Sequence, residues 1–210
     1  MAGFINLTPE EVDPARFVEV WSHFYSWDDD GYLAHIQDHP GQILTSTDVG
    51  ELMAWKAGNR HAKLARSFGD AVPLNRLNWP RGRAPLTDTE LTAHFDAIVA
   101  ALRQAGLKMA RGIIWPIFMC HIGQPDEIPI YDVNVWVAWG FIDGWLQPQD
   151  LKKAPAKFQT YLEYRGWFNG IVATYGSPVR ELDRALMAFG QFIMSRWGDL
   201  ALTHKWGPLF

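Results

Sequence analysis

Apolar residues along this chain recur mainly at three- and four-residue steps, the spacing that lines one face of a helix. Ala15 to Ser26 reads as a first helix, with Pro14 near its first turn and the run Asp28-Asp29-Asp30-Gly31 stopping it. Thr47 to Phe68 reads as the next, carried by Leu52, Trp55, Leu64 and Phe68. Gly69 to Pro85 is rich in Pro, Asn, Gly and Arg and reads as a long loop. Thr87 stands three residues before Glu90, a capping box, and opens a helix to about Gln104 that stops at Gly106. Arg111 to Ile122 is apolar nearly all round and reads as a buried helix kinked or started by Pro116. After a turn holding Pro125 and Pro129, Asp132 begins a helix to about Gly144. Gln149 to Tyr175 contains at least one more. Pro178 to Arg196 is the last long one, with Leu182, Leu186, Phe189 and Ile193 on one face. Strand signals are weak throughout, so the expected fold class is all-α. No repeat, low-complexity segment or linker divides the chain, so one domain, compact or bilobal, is expected over 1–210.

Composition adds one unusual feature. The 210 residues include 11 Trp, 12 Phe and 6 Tyr, which excludes a disordered chain. Cys120 is the single cysteine, so an intramolecular disulfide and a cysteine-based zinc site are both excluded. The first residues have no basic start and no apolar run, so no signal peptide is expected. The longest apolar stretch, Ile113 to Ile122, is too short to span a bilayer. A soluble, cytoplasmic protein with no membrane partner is the expectation. His35 and His39 are four apart, but Pro40 follows and no third ligand is evident, so no metal is expected. There is no phosphate-binding glycine loop and no nucleophile elbow, so neither nucleotide hydrolysis nor serine-hydrolase chemistry is expected; no cofactor is expected either.

The net charge of −4 speaks against a wholly polyanion-binding surface. Its distribution is uneven: residues 1–53 carry −9, residues 54–111 carry +6, and the remainder −1. The basic middle is a candidate nucleic-acid face, and Lys56, Arg60, Lys63, Arg81, Arg83, Lys108 and Arg111 are its candidate backbone contacts. Lys56, Arg60 and Lys63 fall on one helix face. A set of solvated helix faces would give the same pattern.

The chemically informative stretch is Pro125-Asp126-Glu127-Ile128-Pro129-Ile130-Tyr131-Asp132-Val133-Asn134-Val135-Trp136. Two prolines frame a turn, and an aspartate then sits where a helix N-cap belongs. By itself this is a capped core helix. Together with Phe118-Met119-Cys120-His121 upstream and Arg180-Glu181-Leu182-Asp183-Arg184-Ala185-Leu186 near the end, it resembles the helix-hairpin-helix (HhH-GPD) DNA glycosylase superfamily. The resemblance is closest to the bacterial 8-oxoguanine-glycosylase-like branch. It is specific over 111–145, weaker over 178–197 and vague in the first half. It implies a divergent HhH-GPD-like helical fold with 111–145 as the hairpin-like and catalytic segment.

The resemblance also implies a function: hydrolysis of the N-glycosidic bond of a modified base in DNA, with Asp132 as the catalytic carboxylate. Such a carboxylate stabilises the positive charge that builds on the sugar and orients or deprotonates a water. A flipped base needs flat walls and polar contacts. Trp115, His121, Tyr131, Asn134, Trp136 and Trp139 are the candidates, although core packing explains each aromatic equally well. The Gly-x-Gly of the DNA-gripping hairpin is absent, only Gly123 remaining. Phe118 stands where the closer branch has its lysine, and the nearest lysine is Lys108. A Schiff-base lyase step is therefore not expected. Branch members linked to defence against phages with modified DNA make hypermodified phage cytosine a candidate beside an 8-oxoguanine-like base. The competing expectation is a non-catalytic helical module that binds nucleic acid or protein on the same scaffold. Oligomeric state is not legible.

Overall fold

A computed structural model describes residues 13–26, 30–36, 44–57, 62–77, 85–107, 112–147, 150–151 and 156–195, excluding the side chains of 62–66 and 76. Among them the helices are α1 (Pro14–Ser22), α2 (Asp30–Ile36), α3 (Ser46–Lys56), α4 (Ala62–Ala71), α5 (Asp88–Gln104), α6 (Ile114–Gly123), α7 (Val133–Ile142), α8 (Phe158–Tyr175) and α9 (Val179–Ile193). A 3-10 turn spans Leu74–Arg76, and no strand occurs among the described residues. The protein is all-α.

Local chemistry sets several of the boundaries. Thr87 accepts from Glu90 N–H at 3.2 Å while Glu90 accepts from Thr87 N–H at 3.0 Å, so α5 begins on the expected box. Thr45 and Asp48 build a second box at the start of α3. Three stretches differ from the sequence reading. Thr47 to Phe68 is two helices, α3 and α4, rather than one; Gly58-Asn59, a turn signal, lies between them. The acidic run read as a helix stop leads into α2, whose first turn holds Asp30. A carboxylate there complements the positive end of the helix dipole. The expected loop from Gly69 is also shorter, because α4 continues to Ala71.

The chain divides into two compact units, 27–128 and a discontinuous one made of 1–26 with 129–210. In the first, α3 packs on α4, α2 on α3 and α5 on α6. Leu52, Met53, Phe118 and Met119 are fully buried there. In the second, α9 packs on both α7 and α1. The four α9 residues expected on one face, Leu182, Leu186, Phe189 and Ile193, are all buried. Gly190 permits the close α7–α9 approach: a Cβ there would lie 1.9 Å from the carbonyl oxygen of Asn134.

The α7 segment shows which effect decides. Val133, Val135, Val137 and Ile142 are mediocre helix formers, each costing up to about 0.7 kcal/mol relative to Ala. Burying a side chain of this size returns roughly 1.5–3 kcal/mol. Val135 and Val137 are buried, with Trp136, Ala138, Trp139 and Phe141 beside them, so packing outweighs propensity.

Candidate functional site

Asp132 has an extended backbone, and its Oδ1 accepts Val135 N–H at 3.0 Å, capping α7. It is 8% exposed. The turn before it is held from two other helices of the same unit. The Asp183 carboxylate, buried on α9, accepts Ile130 N–H at 3.2 and 3.3 Å to its two oxygens. Tyr161 O–H of α8 donates to the Pro129 carbonyl at 3.2 Å. The residues from Pro129 to Asp132 are thus clamped at both ends. Asp132 owes its position to the α7 cap, to Asp183 and to Tyr161.

An aromatic row adjoins this turn. The Tyr131 ring lies 5.1 Å from Tyr164 and 5.3 Å from Tyr161. Tyr164 continues to Trp139 at 5.7 Å. Trp139 meets Trp145 at 5.0 Å, and Trp145 meets Trp136 at 5.5 Å. Trp136 and Trp139 lie four and seven residues after Asp132, on the helix face that begins at the cap. Gly144, at φ +79°, ends the helix in a left-handed turn, and the Trp145 ring is folded back onto Gly140. Tyr131 and Tyr164 are fully buried and Trp139 is 6% exposed. Tyr131 Oη, Tyr164 Oη and Trp139 Nε1 find no hydrogen-bond acceptor among the described residues. A buried polar atom left so costs roughly 1–3 kcal/mol.

The two phenols stay protonated. Burial raises Tyr131, and the nearby Glu163 and Asp132 charges raise it further. Burial raises Tyr164 well above its ordinary value, with Asp183, Tyr161, Tyr131 and Asp132 adding to it. Both carboxylates therefore lie within electrostatic reach of the Tyr164 hydroxyl.

The remaining candidates take other places. Asn134 Nδ2 donates to Met187 Sδ at 3.3 Å in the Asp132 unit. Trp115 and His121 belong to the 27–128 unit. Trp115 stacks on Phe68 at 5.6 Å. His121 is 1% exposed; its Nδ1 meets the Ile128 carbonyl and its Nε2 lies 2.7 Å from Tyr32 Oη. A carbonyl only accepts, so Nδ1 carries the proton, and in the neutral ring Nε2 accepts from Tyr32. Both ring nitrogens serve that core. Phe118 stacks between Trp55 and His121. Lys56 holds its ammonium 5.6 Å from the centroid of the Phe118 ring. Arg60, Arg81, Arg83, Lys108 and Arg111, and the side chain of Lys63, lie outside the described residues. His35, read as half of a weak histidine pair, instead contacts Asp48 at 3.1 Å and Glu51 at 2.9 Å, while His39 lies outside the description. Burial pushes the Cys120 thiol up, so it stays neutral.

Sequence reasoning missed Tyr161, Tyr164 and Asp183. Their signals were present. Tyr161, Tyr164 and Phe168 follow a three-then-four step, and Asp183 interrupts the apolar stripe beside Leu182 and Leu186. No family model, curated protein or solved structure matches the chain. No helix among the described residues is long and apolar enough to cross a membrane.

Proposed function

We propose that the protein is a monofunctional DNA glycosylase of the helix-hairpin-helix kind. It hydrolyses the N-glycosidic bond of a modified base, hypermodified phage cytosine or an 8-oxoguanine-like base, and leaves an abasic site. The observation that carries this reading is the placement of Asp132. A carboxylate at a helix start, on a turn clamped by Asp183 and Tyr161, stands beside a row of aromatic rings. As the bond to the base breaks, positive charge grows on the sugar, and Asp132 stabilises it. A water then adds to the sugar carbon, its proton passes to Asp132, and the departing base takes up a proton from solvent. Phe118 in place of a lysine supports simple hydrolysis without a lyase step. The +6 stretch from 54 to 111 supports DNA as the partner.

Base-release mass spectrometry on DNA from normal and modified-base sources tests the reading. The wild type should release a free base, and borohydride should trap no covalent adduct. Asp132→Asn keeps a good N-cap, so the fold should survive. Its excision should fall by about 10²–10⁴-fold. Full excision by this variant would refute the role of Asp132.

One observation favours a second reading: Asp132 is mostly buried and spends an oxygen on the α7 cap. A non-catalytic module on the same scaffold would bind modified-base DNA without releasing a base. That binding would be unchanged in a folded Asp132→Ala.

A further inference from the structure

We infer that Tyr131 Oη, Tyr164 Oη and Trp139 Nε1 form a donor row that receives the oxo groups of a flat, neutral heterocycle, so that the site selects a base edge bearing carbonyl oxygens over one bearing an exocyclic amine. The inference deepens the base-excision reading and rests on it for the kind of ligand; of its two candidate bases it favours the 8-oxoguanine-like one, since a cytosine carries an exocyclic amine.

Three features carry it. First, the three polar atoms are deeply buried, and none finds an acceptor among the described residues. Native proteins pair nearly all such atoms, so three left over in one row call for a partner that the chain itself does not supply. Second, the three residues are continuous in space. Tyr164 touches Tyr131 at 5.1 Å and Trp139 at 5.7 Å, and Tyr131 is the residue before Asp132. Third, every member of the row can donate. An indole N–H only donates; a phenol held protonated has a hydrogen to give and lone pairs that also accept, so Trp139 carries the discrimination. Burial, reinforced by neighbouring carboxylates, keeps both phenols protonated. The same carboxylates, Asp132 and Asp183, repel an anion, so a phosphate or carboxylate ligand is disfavoured. What remains is a neutral acceptor flat enough to lie among aromatic rings. An amine offered to Trp139 Nε1 would meet donor against donor and leave both unpaired.

Free uracil and free cytosine are the probes, because they differ in having oxygen or amine at C4. Binding is read by ligand-observed NMR and by the thermal shift each produces in the wild type and in Tyr131→Phe, Tyr164→Phe and Trp139→Phe. Uracil should bind the wild type at least tenfold more tightly than cytosine; Trp139→Phe should lose most of that preference, and each Tyr→Phe variant should bind uracil more weakly. Without ligand, the two Tyr→Phe proteins should melt at or above the wild-type temperature, since each loses only an unpaired hydroxyl. Equal binding of the two bases, or no binding of either, would overturn the inference. So would Tyr→Phe variants that melt lower, because the hydroxyls would then be satisfied within the folded protein. The two readings fail separately. Uracil preference without base release from any DNA keeps the donor row and removes the excision. Base release with unaltered selectivity in all three variants does the reverse.

Discussion

Gly190→Ala is the sharpest test of the packing that sets the Asp132 helix. The added Cβ would lie 1.9 Å from the Asn134 carbonyl oxygen, 2.5 Å from its carbon and 2.9 Å from its Cα. All three are backbone atoms of α7, so no side chain can swing aside. Either α7 and α9 separate, or one of them bends. Overpacking of this kind costs about 1–3 kcal/mol, with the upper end apt where backbone meets backbone. Alanine's better helix propensity returns about 1 kcal/mol. The net expectation is a loss of about 2 kcal/mol, or a fall in Tm of roughly 4–8 °C for a chain of this size. The control is the same change at Gly166 or Gly170, in α8, where an added Cβ meets nothing within 4 Å. There only the propensity remains, and stability should rise by about 0.5–1 kcal/mol. Calorimetry or far-UV dichroism on the three variants reads both signs. A Gly190→Ala protein as stable as its Gly166→Ala counterpart would refute the account of the α7–α9 contact.

Other consequences are independent of this one. Thr87→Ala removes the α5 capping box and should cost about 1 kcal/mol in urea unfolding, whereas Thr87→Ser should be nearly neutral. Asp183→Ala deprives Ile130 N–H of its acceptor and should cost roughly 1.5–3 kcal/mol. If Asp183 positions the Asp132 turn, base release should fall with it, and Asp183→Asn, which keeps an acceptor oxygen, should recover part of both. Burial raises Asp48, but its bonds to the Thr45 backbone and hydroxyl, and His35 beside it, outweigh that and leave it below its ordinary value of 3.8. A carboxyl lowered on folding stabilises fully above its unfolded value and loses that contribution as pH falls through the lowered one. The stability gap between wild type and Asp48→Asn should therefore be widest near neutrality and close below about pH 4. A gap that stayed constant down to pH 2 would count against this.

Helices carried by a single local rule were readable from the sequence. The start of α5 followed from Thr87 and Glu90, α7 from Asp132, and the buried face of α9 from four spaced apolar residues. The errors arose where one residue type serves two rules. The acidic run before Gly31 reads as a stop by composition, yet its last member, Asp30, opens α2. Gly58-Asn59 interrupts an apolar period that continues on either side of it. The candidate site was legible only along the chain. Tyr131, Asp132, Trp136 and Trp139 are near one another in sequence, and the structure keeps them in one unit. Tyr161, Tyr164 and Asp183 reach the same turn from helices tens of residues away, and periodicity alone does not specify which elements will meet. Trp115 and His121 were drawn in by nearness along the chain, but their partners Phe68 and Tyr32 come from the other unit.

The discontinuity of one unit bears on how the protein is made. α1 leaves the ribosome before α9, and its Phe17 packs against Phe189 of α9. At about 5–20 residues per second, the wait between them is on the order of 10–30 s. Residues 27–128 are contiguous, and can form their own core during that interval. Until α9 is synthesised, Phe17, Val18 and Trp21 lack their final cover, so the nascent chain carries a sticky α1. Translation speed between α1 and α9 thus becomes a determinant of yield.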